Sequence, residues 1–114
     1  MELNTPFIKK LHQLGFLRGS LRKRIEAKIA TDAECSYCYA LVVLKAPFPL
    51  GEPAIAKYDN WSYYYARNVL KAPFPLGEEA IAKDDQWSVD YAQDILHDPN
   101  YRSWRRRYLA KHGG

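Results

Sequence analysis

Apolar side chains recur through the middle of the chain at three- and four-residue spacing, which lines up one face of an α-helix. Between residues 61 and 70 they are Trp61, Tyr65, Ala66, Val69 and Leu70. The same spacing appears upstream at Cys35, Tyr39, Ala40, Val43 and Leu44, and downstream at Trp87, Tyr91, Ala92, Ile95 and Leu96. Asp59-Asn60 and Asp85-Gln86 stand just before two of these helices and offer capping oxygens to the first free amides. Pro47 and Pro73 end the helices, because proline lacks an N–H and pushes the preceding residue out of helical conformation. A second, shorter helix is expected after Gly51 or Gly77. There Glu52, Glu78 and Glu79 suit the positive end of the helix dipole, and Pro53 is tolerated in the first turn. At about two turns this helix is too short to persist alone. Ile55 or Ile81, with Phe48 or Phe74 from the loop, must anchor it.

The alternation of long and short helix is a repeat. Leu44 to Lys57 reads LKAPFPLGEPAIAK and Leu70 to Lys83 reads LKAPFPLGEEAIAK, thirteen of fourteen positions matching at an offset of 26 residues. The same offset aligns Ser36, Ser62 and Ser88, and also Tyr39, Tyr65 and Tyr91. Upstream, Glu26, Ile29 and Ala30 keep a decayed version of the GEPAIA segment, and downstream His97-Asp98-Pro99-Asn100-Tyr101 replaces KAPFP. Before the repeats, Asn4-Thr5-Pro6 starts an amphipathic helix through Phe7, Ile8, Leu11 and Leu14 that Gly15 ends, and a basic helix follows from about Ser20 to Ala30. After Pro99, Tyr101, Trp104, Tyr108 and Leu109 form one face of a closing helix whose other sides are arginine. The expected fold is all-α: one domain spanning 1–114, a short α-solenoid of roughly seven or eight short helices. An N-terminal helical cap over 1–30 precedes three repeats over 31–98, the last incomplete, and a basic helix over 99–114 closes the chain.

Comparing copies sorts buried from exposed faces. The positions equivalent to 64, 67 and 68 read Cys38, Leu41 and Val42 in the first copy, Tyr64, Arg67 and Asn68 in the second, and Asp90, Gln93 and Asp94 in the third. The first set is apolar, so the N-terminal helices are expected to cover it. The third is polar and should face water.

Charge changes this picture in one respect. The 17 basic and 13 acidic residues give +4, but residues 1–30, 31–100 and 101–114 carry +5, −6 and +5. An acidic array lies between two basic ends, so the two parts suit different partners. No run approaches ~18 apolar residues and the N-terminus lacks a signal-peptide pattern, so a cytoplasmic protein with no membrane partner is expected.

Candidate chemistry is sparse. Cys35-Ser36-Tyr37-Cys38 is a CxxC with no second pair, and the next copy fills the cysteine positions with Trp61 and Tyr64. Residues that interchange with Trp and Tyr read as packing groups, so neither metal nor cofactor is expected. No phosphate-cradling glycine loop or nucleophile elbow is present, and Glu52 and Glu78 are placed for the helix dipole rather than for acid–base work. The chain therefore reads as a non-enzyme. Asp90 and Asp94 lie four residues apart on a polar helix face suited to a basic protein surface. Tyr63 and Tyr64 join them as candidate protein-binding residues, since three consecutive tyrosines on one helix cannot all face inward. Arg102, Arg105, Arg106, Arg107 and Lys111, interleaved with Tyr101, Trp104 and Tyr108, are the alternative, a nucleic-acid surface in which arginines meet phosphates and rings stack on bases. A third reading is self-association, a basic end against the acidic middle of a second copy.

The pattern YAxxVLKAPFPLGExAIAKDxxWSxxYA, most specific at Pro47 to Glu52 and Pro73 to Glu78, resembles short tandem helical repeats of uncharacterised phage and large-DNA-virus proteins. The resemblance covers about residues 34 to 98. It implies a non-enzymatic repeat scaffold of phage origin that acts in the host cytoplasm on a host factor, as an inhibitor of host defence would.

Overall fold

The computed structural model describes residues 19–113. Every regular element among the described residues is helical, with no strand, and seven are α-helices: α1 (Gly19–Ile29), α2 (Ala33–Cys38), α3 (Glu52–Ile55), α4 (Asp59–Tyr64), α5 (Glu78–Ala82), α6 (Asp85–Asp94) and α7 (Trp104–Tyr108). The amphipathic helix expected over Asn4 to Leu14 lies outside the described residues. The basic helix expected from Ser20 is α1.

Three long elements alternate with short ones. Wide turns at Tyr39–Leu44 and Tyr65–Leu70 carry α2 and α4 onward, and single 3₁₀ turns at Pro49–Gly51, Pro75–Gly77 and Tyr101–Ser103 lead into α3, α5 and α7. The long elements end alike. Lys45, Lys71 and His97 take left-handed conformation at φ 53°, 53° and 54°, and the N–H groups of Ala46, Ala72 and Asp98 then reach back to the carbonyls of Ala40, Ala66 and Ala92 at 3.2, 3.2 and 2.9 Å. The left-handed residue satisfies a carbonyl that a helix end would otherwise orphan, and a non-glycine there costs roughly 1–2 kcal/mol. The third copy keeps this turn although its sequence departs from KAPFP.

The caps fall one residue earlier than expected. Asp32 and Asp84 cap α2 and α6, accepting from Cys35 N at 2.8 Å and Trp87 N at 2.7 Å. The equivalent residue before α4 is Tyr58, which makes no side-chain cap bond. Asp85 lies inside the first turn of α6, and Asp59 Oδ1 accepts from the next residue, Asn60 N, at 2.6 Å.

One core runs through the described residues, and its deepest layer is the repeat itself. Tyr39, Tyr65 and Tyr91, Ile29, Ile55 and Ile81, and Ala40, Ala66 and Ala92 are all fully buried. Each isoleucine contributes about 1.5–3 kcal/mol by leaving water. The four-residue α3 persists because Ile55 and Phe48 pin it, as expected from its length. Gly51 and Gly77 are required by close approach: a Cβ on either would overlap the side chain of Ser36 or Ser62 and sit 2.7 Å from Phe48 or Phe74 Cδ2. Ser36 and Ser62, buried in that contact, donate to the carbonyls of Ile29 and Ile55 at 3.1 and 3.0 Å. The described body measures 48 × 24 × 22 Å, about twice as long as wide.

Candidate functional site

The tyrosines are the joints between copies. Tyr65 Oη donates to Glu52 Oε2 at 2.6 Å and accepts the buried N–H of Phe48 at 2.9 Å. Tyr91 repeats both bonds with Glu78 Oε2 at 2.6 Å and Phe74 N at 3.0 Å. Tyr39 bonds Glu26, whose carboxylate also pairs with Arg22 Nε at 3.0 Å. Burial, and then the adjacent carboxylate, hold all three phenols well above the ordinary tyrosine range. Glu52 and Glu78 were placed by sequence at helix starts; their hydroxyl partners, 13 residues onward, could be read only from the fixed Glu–Tyr interval in each copy.

A second ladder lies on the face where Tyr63, Tyr64, Asp90 and Asp94 were expected. Asn68 Nδ2 donates to Tyr37 Oη, and 26 residues on Tyr63 Oη donates to Asp94 Oδ2, both at 2.8 Å. Tyr63 is only 3% exposed, so it is not the surface anchor that the tyrosine run implied. A helix between two neighbours has two covered faces, and Tyr63 packs against Trp87 of the next copy at 5.2 Å. Burial and then Asp94 push its hydroxyl up to about 12. Tyr64, half-buried, is the hub of a ring cluster, with Tyr37, Trp61, Tyr63 and Trp87 at centroid distances from 5.4 to 6.3 Å. Asp90 is half-buried and accepts from Gln86 Nε2 at 3.0 Å, and Asp94 is exposed. Tyr64, Asp90 and Asp94 thus remain at the surface.

The arginine set divides in the same way. Arg105 Nε donates to Ala82 O at 2.7 Å and pairs with Asp85 at 3.2 Å. Arg107 binds Asp98 at 2.6 Å, Asn100 O at 2.9 Å and Ser103 Oγ at 3.1 Å. The pair with Arg107, then the amide of Asn100, draws the Asp98 carboxyl below its usual range. These two arginines fasten the closing helix, whose Trp104 is buried against Tyr91 at 5.4 Å. Arg102, Arg106 and Lys111 stay exposed, with Arg102 lying over the Tyr101 ring.

Of the cysteines, Cys35 is buried and Cys38 half-buried, and they form no disulfide. Burial, then Asp32, pushes the Cys35 thiol up to about 11, which keeps it protonated and a poor nucleophile at neutral pH. In the first copy Leu41 is 36% exposed, while Cys38 and Val42 are half-buried.

Two grooves open on the surface between the start of a long helix and the short helix that follows it. One, about 490 Å³, includes Tyr58, Asp59, Leu76, Glu79, Ala80 and Lys83. The other, about 470 Å³, includes Asp85, Val89, Arg102, Ser103, Arg105 and Arg106. Asp59, Leu76, Glu79 and Ala80 of the first correspond to Asp85, Arg102, Arg105 and Arg106 of the second at the repeat offset. Leu76 and its counterpart Leu50 are 56% and 55% exposed, and Tyr58 is 52% exposed.

No protein-family model, curated protein or solved structure matches the chain. Among the described residues no helix is long and apolar enough to cross a membrane.

Proposed function

We propose that this chain is a non-catalytic helical-repeat scaffold, a short α-solenoid, that binds another protein. One observation carries the reading: the fully buried tyrosines, isoleucines and alanines that join the copies are constant, while residues at the short helices and their 3₁₀ turns change between the second and third copies. The Tyr–Glu pairs and buried isoleucines recur without change, whereas Leu76, Glu79 and Ala80 become Arg102, Arg105 and Arg106. A stacked array of this kind presents an extended surface whose chemistry is set repeat by repeat. The length-to-width ratio of the body supports such stacking. The binding edge is Tyr64 with Asp90 and Asp94, an aromatic hub beside two carboxylates, complementary to a basic protein surface. The resemblance to phage and viral repeats adds a host factor as the partner.

Asp94 holds Tyr63, so charge reversal there would disturb packing as well as recognition. Asp90→Lys combined with Asp94→Asn, which keeps an acceptor oxygen for Tyr63, should reduce capture of a protein partner from host lysate while far-UV circular dichroism stays unchanged. Undiminished capture would remove this edge from the proposal.

A second reading, nucleic-acid binding, is favoured by the exposure of Arg102, Arg106 and Lys111 on the closing helix. It predicts a mobility shift of RNA or DNA that weakens with salt and is lost in Arg102→Ala, Arg106→Ala, Lys111→Ala. Nuclease treatment of the lysate before capture separates the two readings. Self-association, the basic closing helix against the acidic middle of a second copy, predicts a mass in light scattering that rises with concentration and falls with salt.

A further inference from the structure

The two surface grooves occupy the same place in successive copies yet have opposite chemistry. The first is apolar at its rim, with Tyr58 and Leu76 each more than half exposed. The second is cationic: Arg105 is tied to Asp85 and Ala82, while Arg102 and Arg106 project to solvent around Val89. Both volumes fall within the roughly 300–1,000 Å³ of ligand-sized clefts. Nothing inside the core uses Leu76. The equivalent positions Leu50, Leu76 and Arg102 all point outward, so the 3₁₀ turn of each copy displays one side chain to whatever lies along the outside.

We infer that the two grooves together receive one extended segment of a partner protein, bearing a large aliphatic side chain and, about three residues away, a carboxylate. The aliphatic group sits between Tyr58, Leu76 and Ala80, and the carboxylate meets Arg102 and Arg106. The spacing follows from geometry: equivalent positions in adjacent helical layers lie about 10 Å apart, and an extended chain rises about 3.3 Å per residue. Charge selects the class of partner. A nucleic-acid strand needs a basic track along its length, but the groove beside the arginines carries Asp59 and Glu79 with Lys57 and Lys83, which offers a second phosphate no net attraction. A segment with one anionic group next to an apolar one fits both. This inference rests on the protein-binding reading and names the chemistry of a partner segment for it.

The test is an NMR titration of the full chain with two blocked hexapeptides of glycine and alanine, carrying leucine and glutamate three positions apart in opposite orders. One order should give saturable amide shifts confined to residues 56–59, 76–89 and 102–106. Leu76→Ser and the double variant Arg102→Ala/Arg106→Ala should each weaken that binding at least fivefold. Changing the peptide glutamate to glutamine should abolish the arginine dependence. The side chains changed in the protein are exposed, so circular dichroism should report unaltered helix. The inference is overturned if neither peptide shifts these residues, if binding is indifferent to both variants, or if an oligouridine probe binds there with the same arginine dependence. Failure of both peptides, with protein capture still sensitive to Asp90→Lys/Asp94→Asn, overturns the inference and leaves the protein-binding reading intact. Failure of both the peptides and the capture removes the two together.

Discussion

Tyr65→Phe removes a single oxygen from a fully buried site and leaves in place the ring that packs on Phe74 at 5.0 Å. That oxygen closes two bonds, one to Glu52 and one from Phe48 N. Without it the Phe48 N–H is buried with no acceptor, which costs about 1–3 kcal/mol. The Glu52 carboxylate also loses a charge-assisted bond worth about 1.5–3 kcal/mol, discounted because half-buried Glu52 can turn toward water. The expected destabilisation is about 2–4 kcal/mol, a fall in Tm of roughly 10–20 °C for a domain of this size. Tyr39→Phe supplies the internal control. Glu26 keeps Arg22 when the hydroxyl is gone, so this variant should lose only about 1–2 kcal/mol. Urea unfolding followed by circular dichroism measures both, provided the denaturant slope is unchanged. A Tyr65→Phe midpoint equal to that of the unmodified chain would refute the assignment of Tyr65 as a joint. Equal losses in the two variants would refute the weight given to the orphaned Phe48 N–H together with that given to Arg22.

Three further outcomes are expected. Gly51→Ala should destabilise by about 1–3 kcal/mol through overlap with Ser36, and adding Ser36→Gly should recover part of that loss in a double-mutant cycle; strictly additive losses would place the strain elsewhere. Lys71→Gly should stabilise by about 0.5–1 kcal/mol, because glycine takes the φ of 53° without steric cost, and a lower unfolding midpoint would contradict this. The third concerns alkaline pH. Tyr39, Tyr65 and Tyr91 ionise well above their ordinary range when folded and near ~10 when unfolded. The unfolded chain therefore releases protons first. Stability is full below about pH 10 and is lost above it by up to ~1.4 kcal/mol per pH unit for each tyrosine. The share of tyrosinate absorbance that belongs to these three buried rings should appear in one steep step together with loss of helix, and their gradual titration near pH ~10 in an intact fold would count against it.

Periodicity and the internal repeat made the helices and the core legible, because Tyr39, Tyr65, Tyr91 and the isoleucines face inward for the same reason in each copy. Tyr63 was misread because helical periodicity assigns one buried face, and an inner helix of this fold has a second face against the next copy. The left-handed turn at Lys45, Lys71 and His97 carries no glycine to announce it. It is closed by the N–H of the following residue bonding back to Ala40, Ala66 or Ala92, which residue type alone does not record. The division of the arginines was equally hidden. Arg105 and Arg106 are adjacent in sequence, and only the proximity of Ala82 and Asp85 decides that the first is structural.

The near-identity of two copies also gives the fold a reading frame. Tyr65 and Tyr91 each meet an equivalent glutamate and phenylalanine amide, and Gly51 and Gly77 each pack on an equivalent serine, so the chain is phased in steps of 26 residues. Excising residues 45–70 joins Leu44 to Lys71 and leaves every remaining joint with a partner of the correct kind. Excising one residue fewer leaves each tyrosine with its glutamate but lengthens by one the 15-residue step from Ser36 to the glycine packed on it and the 31-residue step from Tyr37 to its partner in the next copy. Length is therefore free to change by whole periods, and what such a change would alter is the reach of the outer surface, not the bonds that hold it.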